Sequence, residues 1–82
     1  MKLRKLLLKT MNAPQNVRFA ELCHLAEAFG YELDRVSGSH HIFVHSRTTR
    51  PLNLQNEKGK AKPYQVKQFL RDIEEFQLTI KE

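Results

Sequence analysis

The stretch GSHHIF, residues 38–43, sets two adjacent histidines, His40 and His41, behind a Gly-Ser pair. His45 follows four residues after His41, and Cys23 and His24 stand earlier in the chain. Imidazole titrates near neutrality, so one histidine can take up and return a proton at physiological pH. Three kinds of chemistry use such groups. Metal binding needs several donors that converge on one ion. Adjacent strand residues point to opposite faces, so His40 and His41 do not readily share an ion, and no CxxC or carboxylate partner stands at ligand spacing. The expectation is no metal, with Cys23 and His24 as ordinary helix residues. A Ser-His-Asp triad would need Ser39 to bond the ring of its own neighbour, with Asp34 as a weak third member. The last chemistry needs a single histidine and no cofactor. RNA carries its own nucleophile in the 2′-hydroxyl. A base that removes that proton drives attack on the adjacent phosphate, leaving a cyclic phosphate and a free 5′-hydroxyl. The plain alternative is a hairpin whose paired histidines are structural.

The charge pattern bears on the choice. The 82 residues carry a net charge of +5. Residues 1–18 hold five basic groups and no acid. Residues 47–71 hold Arg47, Arg50, Lys58, Lys60, Lys62, Lys67 and Arg71 against Glu57 alone. The segments 19–46 and 72–82 are each net acidic. A basic block directly after the histidines suits a polyanion, and Arg47, Arg50, Lys58, Lys60 and Lys62 are its candidate phosphate contacts. Gly38 lets the backbone turn tightly against a phosphate, where the Ser39 hydroxyl or amide can reach it. A solvated basic surface is the bland reading of the same block.

These groups must be held by a small scaffold. A chain this short buries only about 60–65% of its unfolded surface, so one domain, 1–82, is expected, with its core over about 17–76. With no apolar run near the ~20 residues that span a bilayer, no membrane association is expected. The N-terminal Leu6-Leu7-Leu8 run is cut short by Lys9, which reads as no signal peptide. A lone cysteine fits a reducing, cytoplasmic setting.

Apolar spacing predicts a short helix over 2–11, stopped at Pro14, and a second over about 17–29, with Asn16 able to cap it and Gly30 at its end. From Tyr31 the period changes to two. YELDRV, HHIFVH and PLNL predict three short antiparallel strands, with a turn at Ser37-Gly38. QNEKGKAK reads as a polar loop. Pro63 suits the first turn of a third helix, whose stripe is Val66, Phe69, Leu70, Ile73 and Phe76. The tail QLTIKE reads as a frayed end or a short strand. The fold class is therefore α+β, with helices on one face of a three-stranded antiparallel sheet and the other face open.

FGYELDRVSGSHHIFVH, followed by a strand and a helix, resembles the HicA toxins of bacterial HicA–HicB toxin–antitoxin modules. The resemblance runs from about Val17 to about Phe76. It implies a double-stranded-RNA-binding-like α-β-β-β-α fold, to which residues 2–11 add a short N-terminal helix. It also implies an mRNA interferase, with the histidine after Gly-Ser, His40 here, in the active site. A HicB-type antitoxin would bind and mask that site. This chain has LNLQNEKGKAK where many members carry a Pro-Arg-His-like segment, so phosphate contacts there fall to Lys58, Lys60 or Lys62. Strand alternation groups His40 with Ile42 and Val44, and His41 with Phe43 and His45. If Ile42 and Val44 faced the helices, His41 would be the open-face residue, and it stands as the alternative base. The competing function is an RNA-binding module of the same fold that does not cut. A DNA-binding helix-turn-helix fits poorly with the strand signals over 31–54.

Overall fold

The computed structural model describes residues 3–81. Helix α1 spans Leu3–Asn12, a 3₁₀ turn covers Pro14–Asn16, and α2 spans Phe19–Ala28. Strands β1 (Glu32–Ser37), β2 (His40–Val44), β3 (Leu52–Glu57) and β4 (Lys60–Ala61) follow, and α3 spans Pro63–Glu75. The architecture is α+β and double-stranded-RNA-binding-like, with the extra helix α1 in front. The predicted helix start at Lys2 lies outside the described residues.

The helices form where the apolar stripes place them. On α2, Phe19, Leu22, Leu25 and Ala26 are buried; on α3, Val66 and Phe69 are buried. Phe69 sits at the centre of a ring cluster, edge-on to Phe29 at 5.7 Å and 6.1 Å from Tyr31. Asn16 does not cap α2. It belongs to the 3₁₀ turn, and the Glu21 carboxylate instead accepts from the Arg18 amide at 3.2 Å. Lys9 pairs with the same carboxylate at 3.1 Å and ties α1 to α2. Gly30 ends α2 with φ 96°, in the left-handed region. A Cβ there would lie 2.9 Å from the His45 Nε2, so the position also needs the space.

The sheet is antiparallel in the order β1-β2-β3-β4. The segment expected to be a loop, QNEKGKAK, is instead the end of β3, a two-residue turn and β4. Lys58 and Gly59 take φ 54° and 86°, the pair of positive angles a type I′ hairpin requires. Asn56 Oδ1 accepts from the Gly59 amide at 2.8 Å and closes the turn. Beyond it, Ala61 donates to Val17 O and Phe19 donates to Gly59 O, both at 3.0 Å, so β4 continues onto the approach to α2. Among the described residues the tail after α3 forms no strand. Gln77 takes φ 53°, Leu78 is buried, and the Lys81 amide donates to Ala28 O at 2.7 Å.

The register assigns the two faces. Phe43, Leu52 and Leu54 are buried against the helices. Alternation then puts His40, Ile42 and Val44 of β2, and Asn53, Gln55 and Glu57 of β3, on the open face. One edge needs special support. The β4 strand is too short to pair with the Gln55 amide, and the buried Gln65 side chain accepts from it at 2.7 Å in place of a strand carbonyl.

Burial leaves a titration signature. Burial, and secondarily the Glu27 charge, push the Cys23 thiol up to about 11 from 9.0. Burial, then Asp72, push the Tyr31 hydroxyl up to about 12 from 10.0, against an opposing pull from Arg50. Both groups are acids that hold their protons more tightly when folded. Above pH 9 the unfolded chain releases protons that the folded chain keeps, so stability falls as pH rises. Urea midpoints are expected to be flat from pH 7 to 9 and to decline between pH 9 and 12. A midpoint still constant at pH 11 would contradict this burial.

Candidate functional site

The β1–β2 turn places the signature histidine. Gly38 takes φ 60° and Ser39 keeps a negative φ, the pattern of a type II′ two-residue hairpin, whose twist matches the strands it joins. Strand β2 starts at His40, which pairs with Ser37 on one side and Gln55 on the other. Phe43, rather than Ile42 or Val44, turns toward the helices, so ordinary alternation presents His40 on the open face. The His40 ring is half-buried, and Asn53 Oδ1 lies 3.1 Å from its Nδ1. That amide oxygen can only accept, so Nδ1 carries a proton, and in the neutral ring the lone pair falls to Nε2. Among the described residues Nε2 has no hydrogen-bond partner.

The other histidines are placed differently. His41 lies on the helix side, its ring edge-on to Phe19 at 4.8 Å, with a buried Nδ1 that has no partner. The His45 Nε2 donates to Phe29 O at 2.9 Å, and its Nδ1 accepts from the Arg47 amide at 3.0 Å. Both of its nitrogens are occupied, and the ring packs edge-on to Tyr31 at 5.1 Å. His24 is exposed on α2. Ser39 adjoins His40 in the turn. Asp34 reaches no histidine; its partner is Arg35, at 3.4 Å.

The basic residues divide between the two ends of the sheet. The β1–β2 turn and the β3–β4 turn lie at the same end, joined by the Asn56 amide donating to Ser39 O at 2.9 Å. Ser39, His40, Lys58, Lys60 and Lys62 therefore share one end. Lys62 is also 3.7 Å from Glu57. Arg18 bridges to Lys60 across the sheet edge and joins this group. Arg47 lies in the exposed loop after β2, at the opposite end, beyond the roughly 13 Å that the strand covers from His40 to Val44. Arg50 is held toward α3. Its guanidinium pairs with buried Asp72 and, at 2.9 Å, with Glu75, and lies 5.2 Å from the centre of the Phe76 ring. The bonds to Glu75 first, then to Asp72, hold its proton more tightly than usual. The structure thus does not bring Arg47 or Arg50 to His40.

Sequence reasoning missed Asn53 and Arg18. Asn53 sits between Leu52 and Leu54 in an alternating strand, so its open-face position was readable, but its pairing with β2 needed the register. Arg18 becomes a neighbour of Lys60 only through the β4 strand.

An antiparallel sheet with helices on one face and a polar, histidine-bearing other face defines a small α+β protein of the double-stranded-RNA-binding-like class. The chain matches the family model for the HicA toxin of bacterial toxin–antitoxin modules over residues 19–74, and it belongs to that family. It is thus the toxin of a toxin–antitoxin module, with a cognate antitoxin as its partner. No curated protein and no solved structure gives a match. Among the described residues, no helix is long and apolar enough to cross a membrane.

Proposed function

We propose that this toxin is a metal-independent endoribonuclease that cleaves mRNA with His40 as the base, and that a HicB-type antitoxin neutralises it. The observation that carries the reading is the state of the His40 ring. Its Nδ1 is held by Asn53, while its Nε2 lone pair is unoccupied on the open face. The proton of a ribose 2′-hydroxyl passes to Nε2. The O2′–P bond forms, the P–O5′ bond breaks, and the departing oxygen takes a proton from water. The products are a 2′,3′-cyclic phosphate and a 5′-hydroxyl. Lys58 and Lys60, at the same end of the sheet, would offset the charge that builds on the phosphorane. His41 is the weaker alternative, since its ring is committed to Phe19.

Purified protein incubated with labelled RNA tests the reading. Cleavage that persists in excess EDTA is expected. Tight binding with no cleavage would leave a non-catalytic RNA-binding module of the same fold.

The antitoxin reading follows from the surface. The helices already cover one side of the sheet, so an inhibitor must cover the other from outside. An acidic partner surface would complement the basic end and speed association. A stable cover buries on the order of 1,200–2,000 Å² in total. In the complex, amide exchange should slow across residues 38–62. Protection confined to the outer helix surfaces would exclude steric masking.

A further inference from the structure

We propose that the cleft between β1, the far half of β2 and the loop that follows it is a base-recognition subsite that prefers guanine. This rests on the reading of the open face as an RNA surface. The cleft measures about 350 Å³ and is lined by Asp34, Arg35, Ile42, Val44, Arg50 and Pro51 among others. Its origin is a β-bulge. Between Leu33 and Arg35 the register of β1 against β2 shifts by one residue. Leu33 stays opposite Phe43 and Arg35 falls opposite Ile42, so Asp34 is the extra residue. Two consecutive charged side chains, Asp34 and Arg35, therefore line the same cleft, which regular alternation forbids. Bulges are found beside active sites, where they re-aim side chains in this way.

The chemistry of the cleft fits a nucleobase. Ile42, Val44 and Pro51 give it an apolar floor. Arg35 offers a planar guanidinium, on which unstacked bases of single-stranded RNA lie. The Asp34 carboxylate offers two acceptor oxygens side by side. Guanine alone among the four bases presents two adjacent N–H donors, N1–H and N2–H, on its pairing edge. The Asp34–Arg35 pair is exposed on both sides, so it holds the two groups together loosely and yields readily to a ligand. Position agrees as well. Ile42 is two residues beyond His40, about 7 Å along the strand, a distance that one nucleotide of an extended single strand covers. The cleft runs from there to Val44, about 13 Å from His40, so a base seated in it would lie one or two nucleotides from the phosphate presented to His40.

The test uses the wild-type protein, ¹⁵N-labelled, titrated separately with guanosine, adenosine, cytidine and uridine 5′-monophosphates. These carry no internucleotide bond, so the titration reads the cleft independently of any cleavage. Guanosine monophosphate should bind tightest and shift the amides of residues 34–35 and 42–44. Asp34→Asn should weaken it by about tenfold and leave the other three unchanged. Equal binding of all four nucleotides, or shifts confined to the Lys58–Lys62 hairpin, would overturn the proposal. So would a cleft that no nucleotide perturbs but that the antitoxin protects, which would make it a protein seat. If RNA is not cleaved yet guanosine monophosphate still selects this cleft, the His40 reading fails and the subsite stands.

Discussion

Replacing His40 by alanine is expected to abolish growth arrest on expression and to lower the RNA-cleavage rate by about 10²–10⁴-fold. The fold should survive. His40 is half-buried on the open face, away from the apolar core, and its side-chain hydrogen bond runs to the exposed Asn53. Losing a surface hydrogen bond of that kind costs about 1 kcal/mol. Purified His40→Ala should therefore unfold within a few degrees of wild type, bind the antitoxin and leave RNA intact. His41→Ala should behave in the opposite way. It removes a ring packed against Phe19, so it lowers stability while the remaining folded protein still cuts. Asn53→Ala should give an intermediate result, because it frees the His40 ring to rotate and lose its tautomer while leaving the base in place. Full toxicity of a folded His40→Ala protein, or loss of cleavage in His41→Ala at unchanged stability, would assign the base elsewhere.

The second large effect concerns the basic end of the sheet. Changing Lys58, Lys60 and Lys62 together to glutamine should weaken RNA binding by roughly fifty-fold at 0.15 M salt. This assumes three lysine–phosphate pairs on single-stranded RNA that contribute nothing at 1 M salt. The slope of log affinity against log salt should become shallower by about 0.7 for each phosphate that is no longer neutralised. Lys58 and Lys60 are exposed, and Lys62 has only the long 3.7 Å pairing with Glu57, so the fold loses little. Arg47→Gln should change affinity less, because it sits at the far end of the sheet. Arg50→Gln should act mainly on stability, since it removes the cation paired with the buried Asp72 carboxylate and leaves that charge to the Gln68 amide. Unchanged affinity and slope in the triple variant would make the hairpin a solvated surface.

The parts of this molecule that were legible in the sequence are those set by local periodicity. The stripes of α2 and α3, the glycine at the end of α2, Pro63 at the start of α3 and a turn at Gly38 all act within a few residues. The turn pair is nevertheless Gly38-Ser39 rather than the expected Ser37-Gly38, because Ser37 still pairs with His40. What escaped notice depended on pairing across the chain. The Lys58-Gly59 turn has type I′ angles, but lysine rarely takes the left-handed region, so NEKGK looked like an ordinary polar loop. The face of His40 was ambiguous because HHIFV is apolar on both sides of the strand. The choice was made by Phe43, through its packing with Leu52 and Leu54 under the helices. Asn53 reaches His40 from 13 residues away, and Arg50 meets Asp72 across 22. No short-range signal carries such a partner. Nor does any signal announce the bulge at Asp34, since ELDRVS alternates only loosely and the edge strand it forms is exposed throughout.

The role proposed for His40 is to deprotonate the RNA's own 2′-hydroxyl. The most direct measurement is the chemistry of the new ends, read by mass spectrometry on an oligoribonucleotide digested in EDTA. The expected termini are 2′,3′-cyclic phosphate and 5′-hydroxyl, with no cleavage of the same oligonucleotide carrying a 2′-deoxy sugar at the cut. Fragments ending in 5′-phosphate and 3′-hydroxyl, or equal cutting of the 2′-deoxy substrate, would contradict it.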